Sequence, residues 1–265
     1  MYNLILADLF KLRKSMAIKI LIGITTVSAV VMAVFAYLVP QGKIDISSAG
    51  IGFLFSDASM ISLIGAVIAG IFICGDFDNK IIHDAAAGGC SRLAIILSKT
   101  AVFFCALTFV LIPYAVITVI GISIGSKFSL GAMSAGFLHV LTSNAGNSIS
   151  ASGVWKIIGL MLVLVILYWA QMSICVPLAF ALKKPVLVVS INYGFSILYP
   201  QLMIAAEKNK AFDHIFALTP FGGNYELMTL NTKTGCIIKA IFASIIFIIA
   251  MTAVTYLAFR KSEIR

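Results

Sequence analysis

Residues Gly75–Lys99 read GDFDNKIIHDAAAGGCSRLAIILSK, a charged segment broken by Gly88-Gly89 and set between two runs that are almost entirely apolar. Upstream, no charge lies between Asp57 and Asp76; downstream, none lies between Lys99 and Lys127. A helix needs roughly 20 mainly apolar residues to cross about 30 Å of hydrocarbon. Each flanking run is therefore a membrane span, and the charged segment is the connection between them at one membrane surface.

The rest of the chain extends that reading. Of its 265 residues, 61% are hydrophobic and 11% charged, with a mean hydropathy of +1.09, against about 25% charge in ordinary globular domains. The charges delimit six spans, near 20–39, 58–75, 99–124, 156–182, 186–206 and 237–259, in a single transmembrane domain covering 1–265. The predicted fold class is an all-α polytopic membrane protein. The charge-free interval Phe128–Trp155 is not a span, because its LTSNAGNSISASG stretch suits a solvated loop.

An even number of spans puts both termini on one side. Twelve of the 19 Lys and Arg residues fall on that side, Lys11, Lys80, Arg92, Lys183 and Arg260 among them, and seven on the other. The positive-inside rule makes the termini cytoplasmic; the expected location is the cell membrane, and the lack of an N-x-[ST] sequon is compatible with a bacterial source. The net charge of +9 sits at membrane edges, where anionic lipid headgroups rather than nucleic acid are the expected partner. Residues 1–19 precede a core too long for a signal peptide, and Ile5, Leu9, Leu12 and Met16 recur at helical spacing while Asp8, Lys11 and Lys14 fall elsewhere on the wheel. That pattern suits an interfacial amphipathic helix; a cytoplasmic extension of the first span is the alternative.

Within the opening segment, Asp76–Ala87 reads as a short helix with acidic residues in its first turn, ended by Gly88 and Gly89, after which Ser91 can cap the helix that enters the third span. Asp76, Asp78, His83 and Asp84 are ligand-type residues, but a solvated face explains them and no metal site is predicted. The five cysteines are scattered with no C-x-x-C pair, so neither a zinc site nor a disulfide framework is expected.

Four places give the chain its resemblance to permeases of the ABC type 2 exporter family, in particular the compact subunits of bacterial antibiotic-peptide immunity and multidrug export. LILADLFKLRKS resembles the family's interfacial elbow helix. The opening segment resembles its acidic, glycine-containing loop, with Ser91, Arg92, Ser98 and Lys99 matching. FALTPFGGNYELM, with Pro220, resembles its region before the last span, and LAFRKSEIR its basic tail. The family often has Gly-Thr where this chain has Lys80 and Ile81. The resemblance implies a coupling helix docked on a separate ABC ATPase subunit, formed by Phe77, Asp78, Ile81, Ile82, Asp84, Ala85, Gly88, Gly89 and Arg92, and a second permease subunit, identical or not. The chain contains no G-x-x-x-x-G-K-[ST] motif, so it is read as a transporter subunit rather than an enzyme. It is expected to bind no cofactor itself, the partner using ATP and Mg.

A pathway facing the second permease would use the polar and aromatic residues of the fourth and fifth spans. Gln171, Ser173, Asn192, Tyr193, Ser196 and Tyr199 are the candidates, since polar groups at membrane depth are costly unless they face partners or water. Interhelical hydrogen bonding without substrate contact explains them equally. No ionisable residue is expected deep in a span, and the uncharged lining suits an amphiphilic or peptide cargo. Asp213 and His214 are adjacent but have no matching nucleophile, so catalysis is not predicted. Two other function classes stay open: a secondary carrier or channel acting without an ATPase, and a membrane sensor or assembly protein that moves nothing.

Overall fold

Apolar runs in lipid must satisfy every backbone amide internally, and they do so here as helices. The computed structural model describes residues 2–44, 55–130, 134–144, 151–207, 216–222 and 224–261, and among these there are helices and no strands. The helices are α1 (Tyr2–Lys14), α2 (Met16–Leu38), α3 (Asp57–Ala69), α4 (Gly75–Asp78), α5 (Ile81–Ala87), α6 (Arg92–Ile124), α7 (Gly136–Asn144), α8 (Ala151–Met172), α9 (Cys175–Leu182), α10 (Pro185–Glu207) and α11 (Thr234–Lys261). Among the described residues, five stretches are long and apolar enough to cross a membrane: Met16–Gln41, Asp57–Asp78, Arg92–Ile124, Gly153–Leu182 and Thr234–Arg260. The protein is a multi-pass membrane protein. Its fifth expected span corresponds to α10, whose apolar stretch Pro185–Tyr199 is shorter than the others.

Helices run past the charges that delimit the expected spans. α6 begins at Arg92, seven residues before Lys99, because a lysine marks where hydrocarbon ends and not where helix ends. α3 continues into α4 through a π turn over Gly70–Cys74, closed by the Gly75 amide donating to the Gly70 carbonyl. α8 and α9 are separated at Ser173–Ile174. Pro177 has no amide to give the Ser173 carbonyl, and its ring crowds that oxygen, which is the expected cause of such a break.

Three sequence expectations need correction. Asp76–Ala87 is two helices, α4 and α5, because Lys80 between them takes a left-handed backbone with φ 59°, which ends the first helix for any non-glycine residue. The 128–155 interval is no span, but neither is it all solvated. Residues 136–144 form α7, which buries Phe137, Leu138, Val140 and Leu141 against α6, where Gly121 leaves room for the Leu141 side chain. Asp8 lies on the buried face of α1 together with Leu12, while Met16 is exposed. Phe212, Ile215, Asp213, His214 and the tail beyond Lys261 lie outside the described residues.

Candidate functional site

Two polar centres stand out in an otherwise apolar bundle. The first gathers α1, α4 and α6 at the end that carries the charged loop. Lys99 Nζ contacts both carboxylate oxygens of Asp8, at 2.7 and 2.8 Å, and Asp76 Oδ2 at 2.5 Å; Lys11 pairs with the other oxygen of Asp76, and Ser98 Oγ donates to Asp8. Side-chain exposure is 4% for Lys99, 1% for Asp76 and 9% for Asp8, against 41% for Lys11. Two carboxylates and two ammonium groups balance, which is the condition for keeping charge out of water.

From this cluster the loop is built outward. Phe77 packs its ring against Phe180 (5.5 Å between centroids) and Phe259 (6.2 Å), with Lys183 Nζ 5.1 Å from its centroid. Phe77 and Ile82 are buried, Ile81 and Ala85 half-buried, and Asp78, Lys80, Asp84, Gly88 and Gly89 exposed. Phe77 and Ile82 therefore anchor the loop inside the chain, and its exposed surface is the acidic and glycine-rich remainder. Gly89 has φ +84°, a conformation glycine adopts without the penalty other residues meet. Ser91 accepts the Ala94 amide at 3.2 Å as the cap of α6. Arg92 does not project outward: its Nη1 donates to the carbonyls of Phe259 and Arg260, at 2.9 and 2.8 Å, and caps the last turn of α11.

The second centre is a cavity of about 470 Å³ between α3, α8, α10 and the segment 216–228. Five of the six predicted pathway residues line it: Gln171, Asn192, Tyr193, Ser196 and Tyr199. Ser173 does not; its hydroxyl is buried and donates to the Ala170 carbonyl at 2.6 Å beside the α8–α9 break. Asn192 donates to the Ser62 carbonyl at 2.8 Å, and Ser196 to that of Tyr193 at 2.9 Å. These residues thus bond between and within helices and also line a hollow.

Glu226 was missing from the sequence-level candidates and enters the cavity wall from the loop. Gln171 Nε2 donates to Glu226 Oε1 at 2.6 Å and to the Pro220 carbonyl at 3.2 Å, and Tyr199 Oη donates to Glu226 Oε2 at 3.1 Å. Burial pushes the Glu226 carboxyl above its ordinary range, while the bonds from Gln171 and Tyr199 hold it down. Nearby on α7, burial lowers the His139 imidazole, opposed by a hydrogen bond with the Leu227 backbone.

Behind the wall lies Asp57, fully buried. Its Oδ2 accepts the Phe137 amide at 2.5 Å and Tyr168 Oη at 2.8 Å, and its Oδ1 has no hydrogen-bond partner. Gly136 makes this possible: with φ +54°, any Cβ there would collide with both Tyr168 Oη and Asp57 Oδ2. The first residue of α3 thus faces the last turns of α8, and an ionisable group sits buried inside the bundle. A lone carboxylate bordering a long apolar run, as Asp57 and Asp76 do, is the signal that reveals such groups.

No known protein family, curated protein or solved structure matches the chain.

Proposed function

We propose that this chain is the membrane permease subunit of an ATP-driven ABC exporter, working with a separate ATPase that supplies ATP and Mg chemistry and with a second permease subunit. The observation that carries the reading is the loop Asp76–Ser91: a short helical unit anchored by Phe77 and Ile82, tied to three helices by Lys99, Lys11 and Arg92, and presenting Asp78, Lys80 and Asp84 outward. A rigid unit transmits a partner's rigid-body motion to the helices it joins, whereas a slack loop absorbs it. In this reading α10 is the fifth of six spans, α1 is an interfacial elbow, both termini are cytoplasmic, and the cavity between α3, α8 and α10 lies on the route of an amphiphilic or peptide cargo. Lipid headgroups contact the basic rim.

The test is purification from the native membrane with identification of co-purifying chains, for wild type and for Asp84→Lys. A Walker-containing partner retained by wild type and weakened in the variant supports the reading; no such partner, or equal retention, removes it. A cysteine at Asn79 in a cysteine-free background should label only from the cytoplasmic side.

Asp57 and Glu226 favour a second reading, a carrier driven by protons or cations, because deep carboxylates are typical of such relays. Proteoliposomes containing the chain alone separate the two: transport driven by an imposed proton gradient supports the carrier, and transport only with the ATPase added supports the exporter.

A further inference from the structure

We propose that the cavity between α3, α8, α10 and the segment 216–228 binds an organic cation with an apolar body, Glu226 providing the counter-charge. Calling this occupant cargo rests on the permease reading; the binding itself does not.

The cavity's size, about 470 Å³, falls in the range of small-molecule sites. Its wall is mostly hydrocarbon and aromatic, with Tyr193, Phe195, Tyr199 and Phe221 contributing rings. Phe221 packs edge-on to Phe195 at 5.1 Å and lies 5.7 Å from Tyr199. Ring faces attract cations and repel anions. Among the described residues of this wall, Glu226 is the one acidic or basic side chain. A carboxylate offers about four acceptor positions, and Gln171 and Tyr199 occupy two of them.

The two polar centres contrast in how charge is balanced. At the loop end the buried carboxylates Asp8 and Asp76 each meet a lysine. At the cavity, among the described residues, no Lys, Arg or His lies within ion-pair distance of Glu226 or Asp57. Asp57, the residue before the lining residue Ala58, has a buried Oδ1 with no hydrogen-bond partner among the described residues. A desolvated carboxylate without a cation is costly. An incoming cation removes that cost, and a neutral or anionic ligand does not. Charge and shape together select a lipophilic cation, such as a protonated amine on an apolar frame.

The experiment measures binding of radiolabelled tetraphenylphosphonium, and of the same-shaped anion tetraphenylborate, to the full chain in phosphatidylcholine nanodiscs. Saturable tetraphenylphosphonium binding is expected, weakened roughly tenfold or more by Glu226→Gln, which keeps the side chain's shape. Ser196→Trp, which fills the hollow and leaves Glu226 in place, should abolish it. Tetraphenylborate should show no component sensitive to either substitution. Unchanged cation binding in both variants, or equal sensitivity of the anion, overturns the proposal. Loss of the cation site when phosphatidylethanolamine replaces phosphatidylcholine would identify a lipid amine as the occupant and overturn the assignment to cargo. The assay needs no ATPase, so cation binding without a co-purifying ATPase removes only the permease reading, and an ATPase partner without cation binding removes only this inference.

Discussion

Replacing Lys99 with Met should be among the most damaging single changes in the chain, and its cost can be worked from the loop-end cluster. Among the described residues, Lys99 is the only cation touching Asp8 and the more buried of the two touching Asp76. Without it the cluster carries one uncompensated negative charge, at sites 9% and 1% exposed. Breaking a buried pair by removing one partner costs about 3–5 kcal/mol. The deficit should therefore be near ~4 kcal/mol, a fall in melting temperature on the order of 10 °C. The double variant Asp8→Asn, Lys99→Met leaves Asp76 paired with Lys11 and no net charge, and should recover most of the loss. Thermal melts of the detergent-solubilised protein followed by size-exclusion chromatography measure all three. A Lys99→Met variant as stable as wild type, or a double variant no more stable than the single, would refute the charge-balance argument.

Lys80→Gly should stabilise the protein by about 1 kcal/mol, since glycine carries no penalty at φ 59°; a lower melting temperature would contradict this. Gly89→Val should destabilise by about 1–2 kcal/mol for the same reason in reverse, with Gly88→Ala, at φ −73°, costing less in the same melts. Tyr168→Phe removes one of the two donors to Asp57 Oδ2 and should cost about 1–3 kcal/mol; a loss within a few tenths would show that the bond is dispensable. Because burial raises the Glu226 carboxyl, its protonated form contributes stability that is complete below the ordinary glutamate range and lost as pH rises through the raised value. Among the described residues, the groups that interact with it are Asp57 on α3, Tyr168 and Gln171 on α8 and Tyr199 on α10. Melts between about pH 4.5 and 8 should slope downward in wild type and less so in Glu226→Gln; parallel slopes would exclude Glu226 as the source.

Local rules carried far in this chain. Gaps between charges located the apolar helices, the Ser91 cap was readable from its position before an apolar run, and a turn after Ala87 was readable from Gly88-Gly89. Side chains that share one helix face, such as Asn192, Ser196 and Tyr199, were legible as a group because α10 is a single helix. What escaped was pairing between distant elements. Asp8 meets Lys99 across 91 positions and Asp57 meets Tyr168 across 111, and no periodicity within either segment encodes the partner. α7 escaped because its nine residues are too few to span and end in Thr-Ser-Asn, which composition assigns to loop. It is buried where it packs against α6. The break at Lys80 had a visible hint, glycine being common there in the resembled family.

The π turn at Gly70–Cys74 places one surplus residue in the middle of a membrane helix. In a regular helix one residue is worth 100° of rotation, so this bulge sets an angular offset between the half of the helix that faces the cavity through Ser59 and Ser62 and the half that delivers Asp76 to Lys99. The two halves are out of phase by a fixed amount. Absorbing the bulge into regular helix would swing Asp76 off its lysine while Ser62 stayed beside Asn192, and shifting it along the helix would turn the intervening residues like a screw. A single deletion between Gly70 and Cys74 is thus a rotary change rather than a shortening, and it links the orientation of the charged loop to the orientation of the cavity wall through one backbone hydrogen bond.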